Sequence, residues 1–195
     1  MKLKQIATIN AGYPFRGKIP EVISSAVVAV QMKDVSLTEG IYWSDCLETE
    51  LDGKREHGYL TVGDILVAAR GSRNYAVQID QTLDSIGKQA VAAPHFFVIR
   101  LKSKDILPEF MAWLLNQAPT QRYFAQNAEG TLTKSIRRSI LEDTPVVVPT
   151  IAKQQAIIAM ANTLTKEQRL IQKLINNGER IMGAIARDLY QADGD

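Results

Sequence analysis

The sequence predicts an α+β fold, with a mixed, sheet-rich domain over residues 1–150 followed by one long C-terminal coiled-coil α-helix over residues 151–195. Three observations carry this reading. Short runs rich in β-branched and aromatic residues, bounded by Gly, Asp or Lys, recur through the first part. One helical stretch with proline in its first turn sits among them. Beyond Thr150 there is no proline, and apolar residues return every three or four positions.

In chain order, VISSAVVAVQM (22–32), GDILVAARG (63–71) and QAVAAPHFFVIRL (89–101) read as strands. LPEFMAWLLNQ (107–117) places Phe110, Met111, Leu114 and Leu115 at helical spacing, with Pro108 in the first turn. The change of character falls at Pro149-Thr150. From there Ile157, Ala161, Leu164, Gln168, Ile171, Ile175, Gly178, Met182, Ile185 and Leu189 follow in alternating steps of four and three, the spacing of a coiled-coil seam. Gln168 and Gly178 alone interrupt it. At about 1.5 Å per residue the helix would be nearly 60 Å long, more than the preceding domain could cover, so it calls for a partner helix.

A chain of 195 residues with 46% hydrophobic content can bury one compact domain and carry an appended element. The single cysteine, Cys46, excludes an intrachain disulfide framework and fits a reducing compartment. The opening MKLKQIATINAGYPFRG lacks the apolar core of a signal peptide, and no run of about 18 apolar residues occurs, so a cytoplasmic protein without membrane contact is expected. Net charge is +2, too small for a polycationic nucleic-acid binder, yet residues 39–56 hold six acids against two bases and leave the remainder at +6. A near-neutral total therefore permits a basic face and an acidic one.

Catalysis finds no inventory. His57 and His95 have no Cys or His neighbour at metal-ligand spacing, and no phosphate-binding glycine loop, nucleophile elbow or amino-methyltransferase tetrapeptide is present. A non-catalytic chain with no bound cofactor is expected. The sequence offers instead basic and amide side chains in loops. GYPFRGKIP carries Tyr13, Arg16 and Lys18, and ARGSRNYA carries Arg70, Ser72, Arg73, Asn74 and Tyr75. Arg73, Asn74, Gln31 and Gln89 suit base edges, while Lys33 and Lys88 suit phosphate. For any one of them a solvated surface group is the commoner outcome. The acid-free stretch GTLTKSIRRSIL (130–141), with Thr131, Thr133, Lys134, Ser135, Arg137 and Arg138, has a phosphate-binding composition.

Several segments together resemble the specificity subunits of type I restriction-modification systems, over nearly the whole chain. LKQIATINAGYPFRGKI looks like the family's opening strand and turn, and GDILVAARGS like its GDIL-x-x-x-x-G element. LPEFMAWLLNQ and YFAQNAEGTLTKSIRRSIL resemble the helix, loop and Gly-Thr/Ser segment that lead to the exit, and TPVVVPTIAKQQAIIAMANTLTKEQRLI the strand, proline and glutamine-containing helix of the spacer. Pro149-Thr150 stands where a Pro-Pro pair is usual. The resemblance implies a half-length subunit with one target-recognition domain that reads double-stranded DNA. It further implies a homodimer through antiparallel helices, and binding to methyltransferase (M) subunits that hold S-adenosylmethionine. A motor-nuclease (R) subunit would add cleavage where one exists. Two alternatives stay open: an orphan half subunit that modulates or blocks host restriction, and a coiled-coil interaction module that binds no DNA.

Overall fold

A computed structural model describes residues 1–52, 58–71, 73–130 and 135–192. It divides into two units, Met1–Gln155 and Ala156–Asp195. The first is an α+β unit of short strands and helices, and a single long helix follows it.

The first unit opens with helix α1 (Leu3–Ile6) and strand β1 (Ala7–Ala11). Strands β2 (Val27–Val30), β3 (Val35–Ser36), β4 (Gly40–Ile41), β5 (Leu47–Thr49), β6 (Ile65–Ala68) and β7 (Ala76–Gln78) come next. Helix α2 (Thr82–Ser85), strands β8 (Gln89–Ala92) and β9 (Phe96–Leu101), and helices α3 (Pro108–Leu115), α4 (Ala118–Asn127) and α5 (Arg138–Glu142) complete it. Four strands form one sheet in the order β1-β9-β6-β7, with every pair antiparallel. Three form a second sheet, β5-β2-β8, in which β2 and β8 run parallel.

Strand β6 explains how these layers stack. Its four residues ILVA are all buried, because alternate side chains leave on opposite faces and both faces are covered. Ile65 and Val67 join Ile9 and Ile99 beneath Met111, Leu115, Phe124 and Leu141 of the helices. Leu66 and Ala68, with Phe96 and Val98, meet Val28, Val30, Ala90 and Ala92 of the second sheet. The unit is therefore three layers deep: helices, four-stranded sheet, three-stranded sheet.

The GDIL element is the start of that central strand, and its two polar residues are structural. Gly63 has φ +94°, a left-handed conformation that an L side chain rarely adopts, and its N–H donates to Ile79 O at 2.9 Å. Asp64 is fully buried yet fully engaged. It accepts hydrogen bonds from Thr61 N (2.9 Å) and Thr61 Oγ1 (3.1 Å), and both of its oxygens receive the Arg100 guanidinium at 2.7 Å.

The run 89–101, read as one strand, is two. Pro94 has no N–H to give a ladder, and the turn Ala93-Pro94-His95, closed by Phe96 N to Ala93 O at 3.0 Å, moves the chain from the second sheet to the first. The run 22–32 likewise shortens to Val27–Val30, since Met32–Asp34 forms a 3₁₀ turn capped by Asp34. The helical reading of 107–117 holds as Pro108–Leu115, with Pro108 in the first turn. The helices over Ala118–Asn127 and Arg138–Glu142 were not anticipated.

Helix α6 (Ile151–Ala192) is continuous over 42 residues. Its first turn belongs to the first unit, where the buried Gln154 is held from three sides. Gln154 Oε1 accepts from Leu107 N at 2.9 Å, and Nε2 donates to Asp105 O (2.9 Å) and Pro149 O (2.8 Å). From Leu164 onward every seam position through Leu189 is exposed. No described helix is long and apolar enough to cross a membrane.

Replacing Asp64 with Ala should lower the free energy of unfolding by about 2–3 kcal/mol, because charge-assisted hydrogen bonds to a buried carboxylate disappear together. Urea denaturation followed by far-ultraviolet circular dichroism measures it; an unchanged midpoint would mean that this network does not hold the strand start.

Candidate nucleic-acid interface

The C-terminal ends of β1, β2, β6 and β8 and the N-terminal end of β9 meet at one end of the two sheets. The register requires it: Ala11 pairs with Phe97, Ala68 with Phe96 and Val30 with Ala92. Chain segments leaving these ends carry most of the side chains that the sequence nominates.

Gly12 lets the first of these segments turn away. Its N–H donates to Phe96 O at 2.8 Å, and a Cβ built there would lie 2.1 Å from Ala93 O, so only glycine fits. Tyr13 N then donates to Ala92 O (2.7 Å), and its hydroxyl to Asp52 O (2.6 Å). Arg16 and Lys18 follow on the exposed part of the loop. At the end of β2, Gln31 is half-buried and its N–H donates to Asp34 Oδ2 at 2.8 Å. Lys33 is exposed and ion-paired with Asp34 at 2.7 Å, a hydrogen bond that raises the Lys33 pKa. Behind it, burial and then the Asp34 carboxylate push the Cys46 thiol up to about 12.

The loop after β6 is locked to two other segments. Arg70 bridges Ser135, and Ile136 N donates to Ala69 O at 2.9 Å, which brings Ser135-Ile136 beside Ala69-Arg70. Arg73 is exposed and donates to Asn116 O at 2.8 Å. Tyr75 is half-buried, with its hydroxyl 3.4 Å from Met32 O and its pKa raised by burial. Arg70, Arg73, Gln31, Lys33, Tyr13 and Ser135 are thus gathered at one end of the unit.

Asn74 differs from its expectation. It is 6% exposed, and Nδ2 donates to Ala68 O at 2.8 Å, closing the turn after β6. Arrayed behind it are two amides that sequence reasoning missed. Asn116 binds both Ala76 N (3.0 Å) and Ala76 O (2.6 Å), as a neighbouring strand would, and Gln121 Nε2 donates to Asn74 O at 2.8 Å. Their position at the α3–α4 junction, in NQAPTQ, was the available signal.

Lys88 and Gln89 do not join this group. Gln89 pairs with Val27 at the other end of β8, about 10 Å from Ala92, and Lys88 is ion-paired with Glu48 at 2.5 Å. The acid-free stretch carries a second surprise, because the acids that flank it are the ones that engage its arginines. Arg137 pairs with Glu129 and Arg138 with Glu142, both at 2.7 Å. Ser72, Thr131, Thr133, Lys134 and His57 lie outside the described residues. Among the described residues no group of three or more His, Cys, Asp or Glu could hold a metal ion. The arrangement offers hydrogen-bond donors and exposed cations at one end of the unit, which suits recognition of a polyanion.

No family model and no curated protein matches the sequence. Solved structures do match its fold. The S subunit of a type I restriction-modification system from M. genitalium aligns over 100% of this chain and 46% of its own, with a TM-score of 0.57 and 15% identity. The HsdS subunit from Thermoanaerobacter tengcongensis aligns over 95% and 46%, at TM-score 0.64 and 17% identity. A chain from a study of complex assembly and conformational transition in the type I R-M system aligns over 94% and 42%, at TM-score 0.63 and 11% identity. The likeness is one of fold, and the chain spans less than half the length of each of these proteins.

Asn74→Ala should cost about 1–2 kcal/mol of stability, whereas Arg73→Ala should leave stability within about 0.5 kcal/mol. Thermal unfolding of the two variants decides; equal effects would remove the distinction between a buried turn residue and an exposed donor.

Proposed function

We propose that this chain is a DNA-sequence-reading, non-catalytic subunit of a type I restriction-modification complex. The observation that carries the reading is the match of fold over 94–100% of this chain, the long helix included, to two S subunits and a further chain of the type I R-M system, at less than half their length. Residues 1–150 read one half-site, and residues 151–195 form the spacer and dimerisation helix. Two copies, paired through antiparallel helices, restore two readers at a fixed separation and demand a symmetric, interrupted site. Methyltransferase subunits supply the adenine-modifying site and S-adenosylmethionine, and a restriction subunit adds cleavage where one exists.

The strand-end face is the side turned to DNA. We assign Gln31, Arg70 and Arg73 to base edges and Lys33, Ser135, Arg137 and Arg138 to phosphate, and on composition alone we assign Thr131 and Lys134 to phosphate as well. One observation favours the rival reading of an interaction module that binds no DNA: Lys33, Lys88, Arg137 and Arg138 all have acidic partners. Exposed pairs such as Arg137–Glu129, where the side chains are 69% and 58% accessible, hold each other weakly, so a phosphate can take the carboxylate's place.

Duplex binding measured against salt concentration tests the proposal. Arg137→Ala with Arg138→Ala should weaken binding to specific and random duplexes alike. For each phosphate that an arginine no longer neutralises, the slope of log affinity against log salt should flatten by about 0.9. Absence of salt-dependent binding, even with the methyltransferase subunit present, would favour the interaction module.

A further inference from the structure

Helix α6 carries more information than a hydrophobic repeat. Its two interrupted seam positions, Gln168 and Gly178, stand five residues either side of Lys173. Every other seam residue has a counterpart on the same pattern. Ile171 and Ile175 lie two residues away, Leu164 and Met182 nine, Ala161 and Ile185 twelve, and Ile157 and Leu189 sixteen. Ten positions in alternating steps of four and three are symmetric by construction, so what marks this centre is that the two interruptions fall opposite each other about it.

Resting on the homodimer reading above, we infer that a second copy of this chain pairs with the helix in one antiparallel register, with Lys173 at the two-fold axis and Gln168 facing the partner's Gly178. An isologous pair of this kind makes five types of layer, each occurring twice. Each of the two small residues meets a large one, Ala161 opposing the partner's Ile185 and Gly178 the partner's Gln168, while the other three layers pair two large apolar residues. The glycine matters because it lacks a side chain, which lets the glutamine lie across the partner's backbone and carry its amide to the edge of the coil. Opposite an aliphatic residue the same amide would be buried without a partner.

Gly178 is itself a clue. In the single chain a Cβ at this position would meet nothing within 4 Å, so no packing inside the chain calls for glycine there. Glycine weakens a helix interior, and here it lies in a helix of 42 residues. Gly183 is equally open but lies off the seam, so what distinguishes Gly178 is its seam position, where a partner helix passes close to the backbone. The apolar residues it would cover, Leu164, Ile171, Ile175, Met182, Ile185 and Leu189, are each about half or more exposed.

Neighbouring registers are worse for identifiable reasons. One heptad toward the N-terminus sets Gly178 against the partner's Ala161, leaving a thin layer, and Gln168 against the partner's Ile171. One heptad the other way sets Gln168 against the partner's Ile185 and brings Glu167 beside the partner's Asp188 on the flank, a like-charge contact. A parallel pair would match each residue with itself, so that Ala161 and Gly178 make thin layers and two glutamines meet in the seam.

Cysteine pairs that share Leu164→Cys read the register directly, since a disulfide needs close Cβ atoms. Combined with Met182→Cys it should give covalent dimers after mild oxidation. Combined with Ile175→Cys or Leu189→Cys, the partners demanded by the two shifted registers, or made alone, it should not. Cys46 is buried and its thiol is held protonated, so it stays out of the exchange. Should Leu164→Cys with Met182→Cys lose the dimer when reduced, Ala161→Cys with Ile185→Cys reads the same register one layer out. Cross-linking through a shifted pair overturns the register while leaving the dimer intact, and cross-linking of Leu164→Cys alone shows a parallel pair. A monomer in sedimentation of the unmodified chain overturns the homodimer and the register together.

Discussion

Burial of strand β6 on both faces organises the first unit. Because Ile65 and Val67 point to the helices and Leu66 and Ala68 to the second sheet, the strand is the wall shared by both apolar clusters. Its position forces polar solutions at both ends. Where it begins, Asp64 absorbs the turn amide of Thr61 and the Arg100 guanidinium. Where it ends, Asn74 ties back to Ala68 and the segment at Ser135-Ile136 lies alongside Ala69-Arg70. The exposed basic edge is the outer rim of this core, which in the proposed complex would give the side chains that face DNA a packed base.

The second unit poses the opposite problem. A helix carrying exposed Leu164, Ile171, Ile175, Met182, Ile185 and Leu189 keeps apolar surface in water, which a partner would relieve. Gln154 secures the origin of that helix in the first unit by filling the hydrogen-bonding needs of Leu107, Asp105 and Pro149. In the proposed complex this fixed origin makes the helix a spacer, because the distance between two readers is then set by residue count.

The fold was legible in the sequence where periodicity is strong. The short apolar run bounded by turn residues in GDILVAARG, the proline-led helix at Pro108 and the long run beyond Thr150 each state their geometry in a local pattern. Legibility failed where long-range pairing decides. Nothing local in QAVAAPHFFVIRL says that Pro94 is a corner between two sheets, and nothing around Asn74 says that its amide will be consumed by Ala68. The site was half legible for the same reason. Composition marked residues 130–141 as basic, but whether Glu129 and Glu142 fold back onto Arg137 and Arg138 depends on the turn and helix at that place. Side-chain type groups Gln89 with Gln31 and Lys88 with Lys33, and only the parallel register of β2 with β8 separates them to opposite ends.

Methylation mapping of a lengthened helix tests the account most directly. One complete heptad inserted after Lys173, in a register that continues Ile171 and Ile175, preserves the seam and extends both helices of a dimer by about 10 Å. Expressed with its methyltransferase subunit, the lengthened chain should modify a site with both original half-sites and a spacer longer by roughly three base pairs, given about 3.4 Å per base pair. An active variant whose spacer is unchanged would contradict the claim that the helix measures the distance between two DNA readers.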